Sequence, residues 1–253
     1  MKIKFVALIP LVFTIHFAWA DTDRFSVSTG FDYSSGKYGS ASTTNIFSIP
    51  VVGKYETGPW LFKLTIPYLK ISGSGGVVPG VGRYKIIATT PKTTTQSGLG
   101  DMVAAVTYNL YEGDTSTPGV DLIGRVKLAT AGTGLGTGQN DYAVQADVYQ
   151  SFGKFTPMGS LGYKFLGSPS GVTMNRAAYV SFGAAYQFTD QTSGGADMDL
   201  SQSSSATSAG QRELTVYLSH KIDKNFKIQG YVLKGFSNGS PDRGIGVLAT
   251  SIF

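Results

Sequence analysis

The chain has no cysteine, only two histidines, and charged side chains at just 15% of its 253 positions. The missing thiols exclude a disulfide-stapled fold and a thiolate metal site. The low charge excludes a disordered acidic or basic tail. Beyond residue 20 no stretch approaches 18 consecutive apolar residues, so a transmembrane helix is excluded too. A membrane location would therefore require a barrel. What the chain has in plenty is glycine, 33 residues, and aromatic rings, with 14 Tyr and 15 Phe.

The first twenty residues differ from the rest. Lys2 and Lys4 form a positive start, Phe5 to Phe17 is almost uninterruptedly apolar, and Ala18-Trp19-Ala20 places small residues where a signal peptidase reads them. This predicts a secretory signal peptide over 1–20, cleaved before Asp21, and a single domain over 21–253. An uncleaved anchor would need an apolar run of ~20 residues. Removing 1–20 takes two of the 21 basic residues and none of the 16 acidic ones, leaving 19 and 16 and a net charge of +3. That surplus is too small to point to nucleic acid or a polybasic membrane surface. His220 and Trp60 remain as the only His and Trp.

From Arg24 onward the dominant signal has period two. Phe25, Val27, Thr29, Phe31 and Tyr33 alternate with Ser26, Ser28, Gly30, Asp32 and Ser34. Similar alternation runs from Trp60 to Tyr68, through 101–110, 119–130 and 142–149, and through 155–166, 178–188, 212–222, 226–235 and 243–253. Such patterns describe strands with one apolar and one polar face. Adding 46–56 and the Gly-rich 191–201 gives twelve strands, of the length that crosses a bilayer at a tilt. Connections alternate between short (57–59, 153–154, 189–190, 223–225) and long (35–44, 72–98, 131–141, 167–176, 202–210, 236–242), although 111–118 is long for a turn. The pattern predicts an all-β, antiparallel, up-and-down transmembrane barrel, with the short turns on the periplasmic side of a Gram-negative outer membrane.

Aromatic placement separates this fold from a secreted β-sandwich or lipocalin-like barrel, whose apolar positions would point inward. Tyr55, Trp60, Tyr108, Phe152, Phe155, Tyr186, Phe188 and Phe226 cluster beside short turns, and Phe47, Tyr68, Tyr142, Tyr163 and Phe165 lie toward long loops. Two interfacial girdles are the membrane reading. In the last strand Ile245, Val247, Ala249, Ser251 and Phe253 share a face, and a final aromatic resembles the signal that outer-membrane barrels present to their insertion machinery. Outer-membrane lipid, that machinery and a small-molecule solute are the expected partners.

Twelve strands ~4.8 Å apart and tilted ~40° enclose a cylinder of roughly 12 Å radius, which makes the lumen the functional surface. Pairing strands through loop midpoints sets Asp101 opposite Lys127 and Arg125 opposite Asp147, a charge ladder of alternating sign. With Gln145, Tyr149, Lys164 and Tyr179 nearby, these residues are candidates for a constriction, or for charges that merely brace the wall. Enzymatic chemistry has little to work with, since His220 falls on the outward parity. No catalytic residue, metal site or cofactor is expected. The glycine-rich run Gly132 to Gly138 lacks the GxGxxG spacing and the Lys-Ser/Thr of a phosphate loop, and reads as a flexible connection.

Gly98-Leu99-Gly100-Asp101, then Val126-Lys127-Leu128-Ala129-Thr130, Leu135-Gly136-Thr137-Gly138 and Asp141 resemble the outer-membrane family labelled "MetA-pathway of phenol degradation". Ala129 and Ala131 stand where that family often has Pro and Gly. The resemblance implies a transporter barrel for small, aromatic or hydrophobic compounds and no catalytic residue. With only Asp21 to Asp23 before the first strand, no N-terminal plug is expected, and 72–98, with Val77, Val78 and Val81 among glycines, is the segment expected to gate the lumen. The alternative is a structural or adhesive barrel with a sealed lumen that binds through its outer loops.

Overall fold

The computed structural model describes residues 3–6, 14–17, 23–73, 77–78, 84–85 and 94–253. Most of the expected signal peptide, and most of the segment 72–98 expected to act as a gate, lie outside the described residues. Ile3–Val6 pairs with Thr14–Phe17, and Val77–Val78 with Tyr84–Lys85. The rest is one closed antiparallel barrel, with no helix among the described residues.

Its twelve strands are β1 (Arg24–Gly36), β2 (Thr44–Thr57), β3 (Trp60–Gly73), β4 (Thr94–Leu99 and Met102–Tyr111), β5 (Gly119–Leu128) and β6 (Asp141–Tyr149). There follow β7 (Phe155–Phe165), β8 (Ala177–Gln187), β9 (Thr192–Ser201), β10 (Gln211–Lys221), β11 (Phe226–Gly235) and β12 (Arg243–Ile252). Each pairs with its sequence neighbour, and β12 closes on β1 from Arg243↔Ser35 to Ile252↔Ser26. Closure leaves no unpaired edge, the condition for strands to cross lipid. The Gly-rich segment at Thr192–Ser201 is a strand paired on both sides.

Alternation decides which face is which. Leu161, Val144 and Phe182 are 66%, 55% and 54% exposed on the outer wall, whereas Asp147, Ser181 and Thr215 on the inner wall are at most 2% exposed. Apolar side chains therefore face outward, the reverse of a soluble barrel. At the short-turn end the outer wall carries Trp60 against Tyr108 (ring centroids 4.7 Å), Tyr186 against Phe188 and Phe25 against Phe253. Tyr55 Oη donates to Asp23 Oδ2 there (2.6 Å) and, with Thr57, holds that carboxyl below its ordinary range. At the long-loop end Tyr163 packs on Phe165 and Phe31 on Phe47.

The connection after β4 has the length of a loop, but Asp114 ties it into a compact turn: its carboxylate accepts from the Ser116 and Thr117 N–H groups (2.6 and 2.8 Å). β4 itself is longer than the alternation suggests, because Thr94–Leu99 pairs with the upper half of β3. Between Tyr68↔Leu99 and Thr65↔Val103 the β4 side holds one extra residue, a bulge at Gly100-Asp101. Bulges re-aim side chains. This one leaves Leu99 outward, 59% exposed, and turns Asp101 inward, 5% exposed.

Candidate functional site

Four inward tyrosines shape the lumen wall. Tyr149, Tyr179, Tyr217 and Tyr231 each stand directly opposite a glycine of the adjacent strand: Gly119, Gly162, Gly195 and Gly246. A Cβ on any of these glycines would come within 2.2 to 2.7 Å of the facing tyrosine ring or its hydroxyl. The rings thus lie flat on the wall instead of projecting toward the axis. Tyr179 Oη then donates to Gln145 Oε1 (2.8 Å), and Tyr231 Oη to Asp32.

Many of the charged lumen residues fall, along the hydrogen-bonded register, in two rows. One runs Lys54, Lys63, Ala105, Arg125, Ala143, Lys164, each the direct cross-strand partner of the next. The other runs Asn109, Asp121, Asp147, Ser160, Ser181, Asp199, Glu213. On β5 the rows are four residues apart, Arg125 against Asp121, or roughly 13 Å along the strand. Between them Arg125 donates to Gln145 Oε1 (2.7 Å), and Gln145 Nε2 to Asp147 Oδ1 (2.5 Å). Rows of opposite sign set a field across the lumen. On the same wall Asp197, 1% exposed, has no hydrogen-bond partner on either carboxylate oxygen among the described residues, and neither has the Tyr217 hydroxyl.

At the long-loop end Lys127 sits between Asp101 (3.1 Å) and Asp141 (3.0 Å), with all three side chains at most 3% exposed. Its Nζ also donates to Thr137 Oγ1 (2.9 Å). Asp101 Oδ1 accepts from the backbone N–H groups of Thr130 and Ala131 (3.0 and 2.9 Å), and Asp141 Oδ1 from Gly167 N–H (2.9 Å). Loop 129–140 is therefore clamped inward. A Cβ on Gly136 would meet Asp101 Oδ2 at 2.6 Å, so the clamp needs glycine there. The clamped loop delivers Leu135, 3% exposed, to an apolar cluster with Tyr38, Ile46, Leu69, Ile71 and Val77.

All eight residues singled out from the sequence (Asp101, Arg125, Lys127, Gln145, Asp147, Tyr149, Lys164 and Tyr179) face the lumen. Lys127 does contact Asp101, but through the bulge, since its cross-strand partners are Val103 and Asp141. Arg125 lies opposite Ala143, and Asp147 opposite Asp121. The ladder of alternating sign is thus replaced by like-signed rows, because the loop midpoints used to set the register misplace β6 by four residues. Gln145 bridges the two residues that were expected to pair. Of the segment 72–98 expected to gate the lumen, Val77 packs in the apolar cluster, and the glycine-rich run read as a flexible connection supplies Leu135 to it and is pinned in place. Lys54, Lys63, Asp121, Asp197, Asp199, Glu213, Tyr217 and Tyr231 were missed, although their inward parity could have marked them. His220 faces outward near a short turn, its Nδ1 2.9 Å from Thr192 Oγ1. Among the described residues no group of three or more His, Asp or Glu is disposed to hold a metal ion.

Residues 22–250 match the family described as "Putative MetA-pathway of phenol degradation". Among curated proteins none matches the chain in sequence. In backbone the barrel is similar to an outer membrane channel from Pseudomonas putida F1 (TM-score 0.70, 11% identity, covering 93% of this chain and 97% of that one). It is also similar to the KdgM porin solved with disordered oligogalacturonate (0.51, 10%, 89% and 99%) and to the transport unit of the autotransporter AIDA-I from Escherichia coli (0.51, 10%, 92% and 90%). At these identities the likeness is one of fold.

Proposed function

The chain belongs to this family of the phenol-degradation MetA pathway, and from that premise we propose that it is a channel for passive entry of small organic solutes, aromatic ones included, across the outer membrane of a Gram-negative bacterium. The observation that carries the reading is the polar, two-row lumen below a packed apolar cluster of Ile46, Leu69, Ile71, Val77 and Leu135 at its long-loop end, which on this reading is the mouth that opens for a solute. An apolar contact at the mouth favours solutes with an apolar face. The polar wall below offers hydrogen bonds that a hydrocarbon cannot use, among them the unpartnered Asp197 carboxylate and the Tyr217 hydroxyl. A phenol has both an apolar face and a hydroxyl. The aligned functional groups are those of recognition and passage, not of catalysis, and no reaction is assigned.

On this reading residues 1–20 direct export and are removed, and the long loops face outward. The last strand, ending at Phe253 with its N–H donating to Phe25 O (2.9 Å), is presented to the insertion machinery. Entry of phenol into liposomes carrying the refolded barrel tests the proposal. Phenol should enter faster than into empty liposomes by a margin larger than for a sugar of similar size. Equal rates with and without protein would leave a sealed, adhesive barrel as the better account.

A further inference from the structure

The outer wall carries a charge asymmetry that the channel reading leaves unused. Every acidic residue within the twelve strands has lumen parity, whereas four basic ones face outward: Lys70, Arg212, Lys234 and Arg243, all exposed. Each lies within three residues of a long-loop end, and Arg176, just before β8, stands over the Phe165 ring at the same level (5.6 Å). The corresponding outer level at the short-turn end has no strand cation.

Three of the four outward cations form one patch. Lys234 and Arg243 are direct cross-strand partners, and Lys234 is also the partner of Leu214, two residues along β10 from Arg212. Like charges opposed on a sheet repel. No ion pair or side-chain hydrogen bond engages Arg212, Lys234 or Arg243 among the described residues; Glu213 beside Arg212 faces the lumen, and the exposed Asp242 of the loop just before Arg243 still leaves the patch a net positive charge. Beside the patch lies a groove of about 590 Å³ whose walls include Leu161, Val180 and Leu200, with Arg212 at its rim.

We propose that Arg212, Lys234 and Arg243 with this groove form a docking site for a phosphorylated glycolipid of the outer leaflet, its phosphate on the cations and an acyl chain along the leucines and valine. The site rests on the reading of the long loops as the outer face of an outer-membrane barrel. Anionic headgroups gain from each nearby Lys or Arg, and buried acyl methylenes add to that. The position favours this lipid over a periplasmic-leaflet phospholipid, because the cations sit at one end only.

Native mass spectrometry of the full mature barrel, released from micelles containing bisphosphorylated lipid A, tests the site. The wild-type protein should retain lipid A well above dephosphorylated lipid A, phosphatidylglycerol or inorganic phosphate. Each cation removed should weaken retention about fivefold, so Arg212→Ser, Lys234→Ser, Arg243→Ser together should lose about a hundredfold. Lys70→Ser, on β3 and outside the patch, should change nothing. Equal retention of phosphorylated and dephosphorylated lipid A by the wild-type protein overturns the proposal, and that comparison decides even if the triple variant fails to fold. Fractionation is read separately. A barrel in the outer membrane without phosphate preference sinks the site alone, and a barrel absent from that membrane sinks the location reading and the site with it.

Discussion

Lys127→Met removes the ammonium that Asp101 and Asp141 hold at 3.1 and 3.0 Å while keeping most of the side-chain volume. Breaking a buried ion pair by deleting one partner costs about 3–5 kcal/mol, and side chains at most 3% exposed leave little solvent to screen the loss. Both carboxylates keep backbone N–H donors, from Thr130, Ala131 and Gly167, which places the cost near the lower bound, about 3 kcal/mol. The β5 ladder is untouched, so the cost falls on the clamped state of loop 129–140 and its closed-to-open ratio should drop by about a hundredfold. The chain has no cysteine, and Leu135→Cys, at a position only 3% exposed in the clamped loop, therefore gives a clean reporter for maleimide labelling. In the Lys127→Met background labelling should accelerate by that factor while the unheated protein still migrates as a folded barrel. Adding Asp101→Asn and Asp141→Asn should recover part of the protection, because no carboxylate is then left unpaired. Equal labelling rates with and without Lys127 would refute the clamp.

Three further expectations follow from the lumen. Leu135→Ala removes the side chain that loop 129–140 places in the apolar mouth, and single-channel conductance should rise; an unchanged value would put the obstruction elsewhere. Lys63→Ala with Arg125→Ala should shift the reversal potential under a salt gradient toward cations, and Asp121→Asn with Asp147→Asn toward anions. Indifference to both would mean that ions do not follow the two rows. Gly162→Val would push the Tyr179 ring off the wall, since even a Cβ there comes within 2.2 Å of it, and conductance should fall in a barrel that still folds. Adding Tyr179→Ala should restore the current, and failure to do so would show that the ring is not what narrows the path.

The strand count and the inside-outside assignment were legible because a lipid-facing wall imposes strict alternation, as in Phe25 to Tyr33 and Tyr142 to Val148. Register was not. Cross-strand partners depend on the shear of the closed barrel and on bulges, and neither Gly100-Asp101 nor the shift at Val120 announces in sequence how many residues it adds. For that reason some lumen residues, Arg125, Asp147 and Lys164 among them, were found individually while others such as Lys63 and Asp121, and the grouping into a basic and an acidic row, were not. Gly132 to Gly138 misled for a related reason. Glycine reads as flexibility, yet here it admits close approach, with Gly136 against Asp101 and Gly134, at φ +78°, against Gln96. The family-like block GLGD lies well before KLAT and LGTG in sequence, and all three meet in one place, the clamp around Lys127. The tyrosine-glycine pairs were equally hidden, since each depends on which glycine a closed register brings opposite.

The central claim is that the lumen is a path and not a braced, sealed interior. Current through the refolded wild-type barrel in a planar lipid bilayer tests it most directly. The account predicts small, discrete, steady conductance steps that grow when Lys127→Met releases loop 129–140. A folded, membrane-inserted barrel that passes no current, with or without that substitution, would contradict it.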